Sequence, residues 1–525
     1  MSRRYTPARP VPWQESMQEQ SRARFPALGA VLSFLFPGLG QLYSGQPTIA
    51  AVLATPILVI GAGGLAAYLF IGDRVHSALF NSQFLTTLLA LDLALLMWRL
   101  FAIAHVGLAR PIGPVVTSAG AAPVTGALSS AAGPGAAALA PIGGLPRPSY
   151  LHRRPWEIAA VVLLIIVTVV MHAWAGIVLS RLDRTLHDVF AGGAPIASGG
   201  SNQPLNQPNY HWDGKARINF LLVGIDSDPS RTEALTDTIL VVSVDPVRHT
   251  AVMVSIPRDT GFMPLPDRRI FGTGLYPDKV NSLTTVASQN TKVWCPDLPA
   301  SAACGIRTLQ RSVGLYLGIE INYYATVNLR GFSELIDALG GLRLCLDGTL
   351  ADTTYTGPTW RPRVGITLEP GCSVYDGPHA LAFARIRKGT LTMPNGTVVE
   401  QNDFKRAERQ QELLVALGDQ IASSNWVLGL PGILNAIAET VSTDFPRGDA
   451  GNLTSLLPLV LQRNITRVVL GYPGYVDLPT NPTVNYLLIP RRAAIRAEAK
   501  KLFGARGLKG WYVGSPDPYP PASAP

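Results

Sequence analysis

The chain has few charged residues and lacks the short motifs of several common enzyme classes. Only 15% of its 525 residues are charged, against about 25% in an ordinary soluble protein, and its mean hydropathy is +0.21. These values argue against a fully soluble or wholly disordered protein and indicate a globular part diluted by membrane segments. Neither a GxxxxGK(S/T) phosphate loop nor an HExxH zinc motif occurs, and the eight histidines are scattered. The chemistry of any site must therefore come from other residue types.

Cysteine is also scarce, and no two of the four cysteines form a CxxC pair. This argues against a zinc ribbon or a thioredoxin-like motif. All four lie in the C-terminal half, downstream of every apolar run: Cys295, Cys304, Cys345 and Cys372. An even set confined to one half favours disulfides in an oxidising compartment, with buried free thiols as the alternative.

Long apolar runs fill the N-terminal third. The strongest, 158–179, has 22 residues without Asp, Glu, Lys or Arg and would rise about 33 Å as a helix, which matches a hydrocarbon core of about 30 Å. Two more spans are predicted at about 48–71 and 84–106. An earlier stretch, 25–43, is interrupted by the sequence PGLG, which predicts a half-inserted or interfacial element.

The placement of arginine predicts the orientation. Residues 1–26 contain five arginines and residues 109–155 contain four, whereas the loop 72–83 contains only Arg74. The positive-inside rule puts the first two segments in the cytoplasm, so three spans carry everything after residue 180 outside. The cysteine placement agrees independently. The net charge of +9 therefore indicates no nucleic-acid partner, because the basic site would lie outside the cell.

Composition then divides the chain into seven segments. They are a cytoplasmic segment 1–26, a helical membrane region 27–108, an Ala/Gly/Pro-rich linker 109–155, a transmembrane helix 156–180, an extracytoplasmic linker 181–214, a globular domain 215–506 and a flexible tail 507–525. In the globular domain, helical periodicity alternates with short apolar strands, which predicts an α/β fold arranged as a three-layer α/β/α sandwich. Strands are predicted at 218–225, 238–244, 251–256, 321–327 and 342–346, with a hairpin turn at 245–250. Helices are predicted at 280–288, 306–317, 329–339, 403–420 and 453–461.

Two aspartates lie at the ends of neighbouring predicted strands. Asp226 follows one strand and Asp237 opens the next, so both carboxylates can converge at one end of a sheet. Two hard oxygen ligands with open positions suit Mg²⁺, which usually keeps water and binds phosphate oxygens of a substrate. The alternative is that each aspartate is a turn or cap residue.

Arginines occur at the ends of other predicted elements. Arg258 directly follows a strand, at the sheet edge where ligands bind in open α/β folds. Arg385 and Arg387 point the same way if the chain is extended there, and guanidinium groups match phosphate oxygens. The alternatives are a surface salt bridge from Arg258 to Asp259 and a solvated basic face.

A predicted helix supplies the last group of candidates. Asp403 is a good N-cap, and Arg406 and Gln410 share a helix face, with Arg409 on a neighbouring stripe. An ordinary amphipathic helix is the alternative. No nucleophilic cysteine and no Ser–His dyad accompany these groups. Arginines beside carboxylates fit a site that holds a charged phosphate ester next to a divalent ion, since phosphoryl transfer needs mainly positioning and charge neutralisation.

The motifs that carry these residues resemble those of the bacterial LytR-CpsA-Psr (LCP) family. In order they are GIDSDPSRTEALTDTILVVSVDP, VSIPRDT, KVNS, INYYATVNLRGFSELIDALGGLRLCLD, GPHALAFARIR and DFKRAERQQ. The resemblance covers about 215–417 and implies transfer of a glycopolymer from a polyprenyl-pyrophosphate carrier to peptidoglycan. The family commonly has one short membrane anchor, so the extra spans here depart from it.

The resemblance also implies roles for individual residues. Asp226 and Asp237 would hold Mg²⁺ or Mn²⁺, and the catalytic residues that grip the pyrophosphate would be Arg258, Arg385, Arg387 and Arg406. Substrate-binding roles fall to Arg231, Asp403, Arg409 and Gln410. Ser230 replaces the usual glycine before Arg231, and Phe383 stands where the family often has tyrosine. The implied disulfides, one of three possible pairings, are Cys345–Cys372 and Cys295–Cys304.

The sequence thus predicts a multi-pass membrane phosphotransferase with an extracytoplasmic catalytic domain. Its expected partners are a polyprenyl-pyrophosphate-linked glycan, peptidoglycan and the lipid bilayer. Asp259 and Asp403 both remain candidates for the proton acceptor. Two alternatives stay open: a hydrolase that uses water as acceptor, and a non-enzymatic regulator that binds prenyl phosphate.

Overall fold

The computed structural model divides the chain into two compact units. One unit comprises Met1–Phe70 with Leu89–Gly176, and the other comprises Ile71–Leu88 with Ile177–Pro525. The described residues are 26–108, 155–190, 217–226, 235–267, 269–296, 303–357, 364–423, 436–438, 440–456, 464–479 and 486–504. The predicted segments 1–26, 109–155, 181–214 and 507–525 lie largely or wholly outside these residues, and Arg231 does too.

Helices make up most of the N-terminal part that the structure describes. Its helices are α1 (Pro26–Leu35), α2 (Leu39–Tyr43), α3 (Pro47–Ala78), α4 (Ser82–Leu108) and α5 (Pro155–Phe190). Among the described residues, three stretches are long and apolar enough to cross a membrane: Pro47–Ala66, Ser82–Gly107 and Pro155–Phe190. They overlap the three predicted spans. Helix α5 ends at Phe190 rather than near 180, because Leu186 and Val189 continue its buried stripe.

The interrupted 25–43 stretch forms two short helices with a break around Pro37. Gly38 has a φ of 105°, and a Cβ atom there would lie 2.5 Å from the carbonyl oxygen of Ala50. Only glycine fits this close approach. The break that the PGLG sequence predicts is therefore present, and α2 turns back to pack against α1.

Polar side chains inside the first unit contact one another. The Nδ1 atom of His172 on α5 lies 2.7 Å from Oδ1 of Asp92 on α4. Gln41 donates from Nε2 to the carbonyl oxygen of Ala102 at 2.9 Å, and Ser33 donates to Oε1 of Gln41 at 3.1 Å. Such pairings satisfy polar groups that apolar surroundings leave without water.

A mixed six-stranded sheet forms the centre of the second unit. Its order is β13 (Val441–Thr443), β6 (Tyr323–Asn328), β1 (Ile218–Asp226), β2 (Leu235–Asp245), β3 (Thr250–Ser255) and β14 (Ile465–Val469). Strands β1, β2 and β3 are antiparallel neighbours, whereas β6 runs parallel to β1 and β14 runs parallel to β3. The predicted hairpin at 245–250 joins β2 to β3.

One face of the sheet packs against three amphipathic helices. They are α6 (Val280–Gln289), α8 (Cys304–Leu317) and α12 (Arg492–Phe503). Alternate strand residues such as Val223 and Val254 share a buried core with Leu283 and Leu309. Short elements border this layer: β4 (Met263–Pro264), β5 (Leu275–Tyr276), α7 (Thr291–Trp294), β15 (Val476–Asp477) and β16 (Ile489–Pro490).

Further helices cover the opposite face. They are α9 (Leu329–Ala338), α10 (Gly377–Arg385) and α11 (Asp403–Ser423). Gln411 of α11 donates to Oγ of Ser255 at 2.8 Å, and Ser255 points away from the core that contains its neighbour Val254. The predicted three-layer α/β/α arrangement is confirmed. A second core joins these helices to β7 (Leu342–Leu346), β8 (Thr349–Thr356), β9 (Val364–Leu368), β10 (Gly371–Tyr375) and β11 (Thr390–Thr392). Strand β12 (Val398–Glu400) pairs with β11.

Several sequence predictions change in this part. The four-stranded sheet β12-β11-β8-β9 and helix α10 were not predicted. The helix predicted at 453–461 is wrong over its described residues, where Arg447–Leu456 forms a 3₁₀ helix. Both disulfides that the family resemblance implies are present, Cys295–Cys304 and Cys345–Cys372. The second one joins directly opposed residues of β7 and β10.

An aromatic cluster connects the end of α5 to the sheet. The rings of Phe80 and Phe445 both lie 6.5 Å from that of Phe190, and Tyr323 of β6 lies 4.7 Å from Phe445. Beside the cluster, Arg447 donates to the carbonyl oxygen of Phe80 and pairs with the Asp183 carboxylate at 2.5 Å. These contacts lie within the second unit.

Candidate active site

Two aspartates lie at the same end of the β1–β2 pair, as their positions in the sequence predict. Asp226 is the last residue of β1. Gly224 pairs with Thr238, but the next residue along β1 pairs with Thr236, so Asp237 is an extra residue in a β-bulge. A bulge interrupts the regular alternation of side chains and is common beside active sites. The bulge thus sets the position of Asp237.

Arg258 brings together carboxylates from three elements. It lies three residues after β3, and its Nη1 donates to Oδ1 of Asp237 at 2.7 Å. Its Nε lies 3.5 Å from Oδ1 of Asp403 and 3.9 Å from Oδ2 of Asp259. The alternative of an isolated surface pair with Asp259 does not describe this arrangement, since Arg258 is largely buried and contacts all three.

Arg385 reaches the other aspartate. It is the last residue of α10, and its Nη2 donates to Oδ2 of Asp226 at 3.2 Å. The prediction of an extended Arg385–Arg387 pair is wrong, because a helix that starts at the N-cap Asp376 includes Arg385. Arg387 lies beyond the helix end and is exposed, close enough for its charge to act on Arg406.

The N-terminus of α11 supplies the next pair of groups. Asn402 is the cap, since its side chain accepts from the backbone N–H of Lys405 at 2.9 Å. Asp403 is therefore the first helical residue and not the N-cap, and its carboxylate lies 2.9 Å from Nη1 of Arg406. Arg406 also donates to the backbone oxygen of Asp237 at 3.2 Å. Helix α11 thus joins the cluster through both residues.

Two neighbours on α11 make contacts within the protein. The buried guanidinium of Arg409 donates to Phe383 O at 2.8 Å and also to Ile386 O and Gln401 Oε1. Gln410 donates to the backbone oxygen of Ala384 at 3.2 Å. Both side chains fasten α11 to the end of α10. The predicted substrate-binding role of Arg409 gains no support from these contacts, and Gln410 lies beside the arginine cluster.

The charges of the cluster shift its pKa values. Burial acts to raise the pKa of the Asp237 carboxyl, but Arg258, Arg406 and Arg385 outweigh it and hold that pKa below its usual range. Burial likewise acts to lower the pKa of Arg258, and the surrounding carboxylates raise it instead. Burial lowers the pKa of Arg406, with further contributions from Arg258 and Arg387. The aspartate is therefore ionised at any physiological pH.

Three guanidinium groups of the cluster have buried nitrogen atoms without a hydrogen-bond partner in the part of the chain that the structure describes. The atoms are Nε of Arg258, Nη1 of Arg385 and Nε of Arg406. A buried donor left unpaired costs about 1–3 kcal/mol, and more when it is charged. An anion with several oxygens would satisfy all three donors. This geometry favours a phosphate or pyrophosphate group among the three arginines.

Two further residues, Lys279 and Tyr486, lie at the rim of the cluster and were not among the residues predicted from the sequence. Lys279 lies before α6, and its Nζ lies 2.9 Å from Oδ1 of Asp259. The same Nζ lies 5.8 Å from the centre of the Tyr486 ring. Lys279 belongs to the KVNS motif, so a signal for it was present. Tyr486 has no signal in the sequence, because only the folding of the chain brings it to the site.

The donor set of Asp226 and Asp237 fits a magnesium ion that also binds substrate. Among the described residues there is no group of three or more His, Cys, Asp or Glu that could hold a metal alone. Mg²⁺ is often held by one or two carboxylates and completed by water and substrate phosphate oxygens. The carboxylates of Asp226 and Asp237 beside three arginine donors meet that requirement. Such an ion would depend on a bound phosphate for its remaining ligands.

The comparison with protein families is decisive for identity. The model of the LytR_cpsA_psr family matches residues 196–484, more than half of the chain. The chain belongs to this family. The resemblance that the sequence motifs indicate is thereby confirmed, and the match contains every residue of the arginine and aspartate cluster.

Curated members of the LytR_cpsA_psr family match this chain in part. Two proteins named polyisoprenyl-teichoic acid–peptidoglycan teichoic acid transferase TagU are each 29% identical to it. The one from Halalkalibacterium halodurans aligns over 227 residues, 43% of this chain and 60% of the relative. The one from Enterococcus faecalis aligns over 239 residues, 45% of this chain and 64% of the relative. The chain thus spans less than two thirds of the length of these relatives.

Solved structures also match part of this chain. The crystal structure of B. subtilis TagV has a TM-score of 0.39 at 22% identity and covers 55% of this chain and 97% of TagV. The structure of TagT bound to LIIa-WTA has a TM-score of 0.39 at 22% identity and covers 56% of this chain and 92% of TagT.

Proposed function

We propose that this protein transfers a glycopolymer from a polyprenyl-pyrophosphate carrier to a hydroxyl group of peptidoglycan. The observation that carries the proposal is the set of buried, unpartnered guanidinium donors on Arg258, Arg385 and Arg406 beside Asp226 and Asp237. A pyrophosphate supplies oxygens that could accept hydrogen bonds from these donors. The names of the TagU relatives support the same donor and acceptor classes.

The cluster would act by neutralising and orienting the pyrophosphate. The arginines bind its oxygens, so the negative charge that grows on the leaving group is stabilised in place. The acceptor hydroxyl attacks the phosphorus next to the sugar, a new P–O bond forms, and the P–O bond to the lipid phosphate breaks. Mg²⁺, held by Asp226 and Asp237, would neutralise further charge on the phosphate oxygens. The hydroxyl proton passes to a carboxylate, for which Asp259 and Asp403 are both placed beside Arg258.

We further propose that this reaction takes place outside the cytoplasmic membrane, in a multi-pass protein. Three apolar helices support the number of spans. The arginine distribution supports an extracytoplasmic domain, and two disulfides fit an oxidising compartment. The carrier lipid and the site would then share one membrane face.

Replacement of a site arginine tests the proposal. The purified full-length chain in detergent, with Mg²⁺, a prenyl-pyrophosphate-linked oligosaccharide and peptidoglycan fragments, should form a phosphodiester-linked conjugate detectable by mass spectrometry. Arg258→Ala and Arg385→Ala should each lower kcat/KM at least 100-fold, since each removes a charged donor worth about 3–4 kcal/mol in the transition state.

The matched control is Arg330→Ala. Arg330 is an exposed arginine on α9 that pairs only with Glu334 among the contacts described, so this variant should keep the wild-type rate. Unchanged transfer by both site variants would falsify the assignment of the site. Release of free glycan phosphate without conjugate would show instead that water is the acceptor and that the protein is a hydrolase.

A further inference from the structure

A short C-terminal segment packs against the loop that carries Arg258. The backbone N–H of Leu488 donates to the carbonyl oxygen of Asp259 at 2.9 Å, and that of Gly261 donates to the oxygen of Leu488 at 2.9 Å. Leu487 and Leu488 are buried. A Cβ atom on Gly261 would lie only 2.5 Å from Leu487, so this close packing requires glycine. The segment is therefore held firmly at the edge of the site.

The residue before this anchor presents an aromatic ring to solvent. Tyr486 is 37% exposed, although Leu487 and Leu488, which follow it, are buried. Its ring lies 5.8 Å from Nζ of Lys279, and that amine pairs with Asp259. Burial and the charges of Asp259 and Asp403 raise the pKa of the Tyr486 hydroxyl, which agrees with its place near both carboxylates. The ring thus lies at the acidic rim of the arginine cluster.

This rim differs chemically from the arginine centre. The unpartnered donors of Arg258, Arg385 and Arg406 take an anion. Asp403, whose side chain is 26% exposed, can accept a hydrogen bond from a hydroxyl group, and its charge and that of Asp259 disfavour a second anion. The exposed ring of Tyr486 beside them can pack against the apolar C–H face of a sugar ring, because a tyrosine side chain combines an apolar ring with a polar hydroxyl group. A polyhydroxylated sugar fits this position better than a phosphate or a lipid chain.

We propose that Tyr486 is a positioning residue for the acceptor, on which a sugar ring of peptidoglycan stacks while its reacting hydroxyl points to the carboxylate rim. This inference rests on the proposed function, since it assigns the acceptor half of the same site. Lys279 orients the platform through Asp259 and the face of the ring. The sugar makes no covalent bond to Tyr486.

The experiment compares Tyr486→Ala with Tyr486→Phe in the full-length protein. Tyr486→Ala removes the stacking face and should raise the KM for peptidoglycan oligosaccharide about 10-fold, with the KM for the prenyl-pyrophosphate donor within twofold of wild type. Tyr486→Phe keeps the face and should leave both KM values near wild type. An acceptor KM that Tyr486→Ala leaves unchanged would overturn the inference. Equal rises in both KM values would do so too, since they indicate a pyrophosphate contact or local unfolding.

A direct binding measurement separates this inference from the proposed function. Saturation-transfer NMR with peptidoglycan oligosaccharide alone needs no turnover. Signal transfer with the wild type and Tyr486→Phe, and its loss with Tyr486→Ala, would support the platform even if no conjugate formed and the transferase proposal failed. Equal signal transfer with wild type and Tyr486→Ala would refute the platform even if the wild type proved to be a transferase.

Discussion

Each arginine of the site has two roles because of its forked shape. Arg258 binds Asp237 through Nη1, while its Nε stays without a hydrogen-bond partner among the described residues. Arg385 binds Asp226 through Nη2 in the same way, and its Nη1 has no hydrogen-bond partner among the described residues. The carboxylates hold each fork in place, so a ligand finds its donors already oriented. Lysine carries its three donors on one nitrogen at the end of a flexible stem, so it lacks the fixed, planar fork that holds two acceptors in set directions.

Asp444 carries an unfavourable charge in the folded state. Burial raises the pKa of its carboxyl to about 6, although the Tyr324 N–H donates to it at 2.7 Å and Arg307 lies 3.6 Å away. The folded state therefore binds the proton more tightly than the unfolded state. Between about pH 4 and 6 the free energy of unfolding should fall as pH rises, by about 3 kcal/mol.

Asp444→Asn should remove this fall of the free energy of unfolding with rising pH, while keeping an acceptor for the Tyr324 N–H. Denaturant unfolding of the full-length protein at pH 4, 5, 6 and 7 measures the slope in both proteins. The interpretation is wrong if wild type and Asp444→Asn show the same dependence on pH over this range. A steeper rise of stability with pH in the wild type would likewise contradict it.

At the scale of elements, Arg409 fastens two helices. Its guanidinium donates to Phe383 O, Ile386 O and Gln401 Oε1, and burial lowers its pKa to about 10. Arg409→Ala would leave these acceptors without their donor and should reduce the free energy of unfolding by about 2–4 kcal/mol. Because α10 ends at Arg385, kcat should fall as well.

Arg409→Lys is the informative companion variant. It keeps the positive charge and loses the forked guanidinium group, so it should recover less than half of the free energy of unfolding that Arg409→Ala loses. Thermal unfolding and transfer rates of the two variants test this together. Full recovery by lysine would mean that charge alone, and not the three directed hydrogen bonds, holds α10 against α11.

The elements differ in how far their sequences reveal them. Strands β1 to β3 and helices α6, α8, α9 and α11 follow local periodicity, so their prediction succeeds to within a few residues. Helix α10 is only nine residues long and was missed, although Asp376 followed by Gly377-Pro378 is an N-terminal signal. The four-stranded sheet has short strands of three to eight residues, and their pairing depends on distant partners that no local pattern encodes.

For the whole molecule, the contacts around Arg447 connect distant parts of the second unit. Arg447 binds Asp183 near the end of α5 and the carbonyl oxygen of Phe80 between α3 and α4. Both partners of this ion pair are partly exposed, so Arg447→Ala should cost about 1 kcal/mol, a fall in Tm of about 2 °C. Trypsin should also cleave faster after Arg181 and Arg184.

Arg491→Ala provides the comparison. Arg491 also pairs with an aspartate at 2.5 Å, but both side chains of that pair are exposed at the surface. This variant should leave tryptic cleavage in 177–190 at the wild-type rate. If Arg447→Ala and Arg491→Ala behave alike, the contacts of Arg447 do not hold the end of α5.

The site as a whole was predictable only in its charged centre. Asp226, Asp237, Arg258 and Arg406 all lie at the ends of elements that point to one sheet edge, so position along the chain indicates their convergence. Tyr486 reaches the same place through hydrogen bonds of Leu488 with the Asp259 loop, which involve only backbone atoms. Backbone docking leaves no trace in residue type, and this is why Tyr486 was missed.

The extra residue at Asp237 has a consequence for how this protein can be inactivated. Loss of Thr236 through an in-frame deletion of three nucleotides would restore one-to-one pairing of β1 with β2 and put the aspartate into the slot of the buried threonine. The strand pairing would become regular, but the Asp237 carboxylate would leave the position in which Arg258 binds it. Under the proposed function, such an allele would encode a protein that keeps its strand order and loses transfer activity.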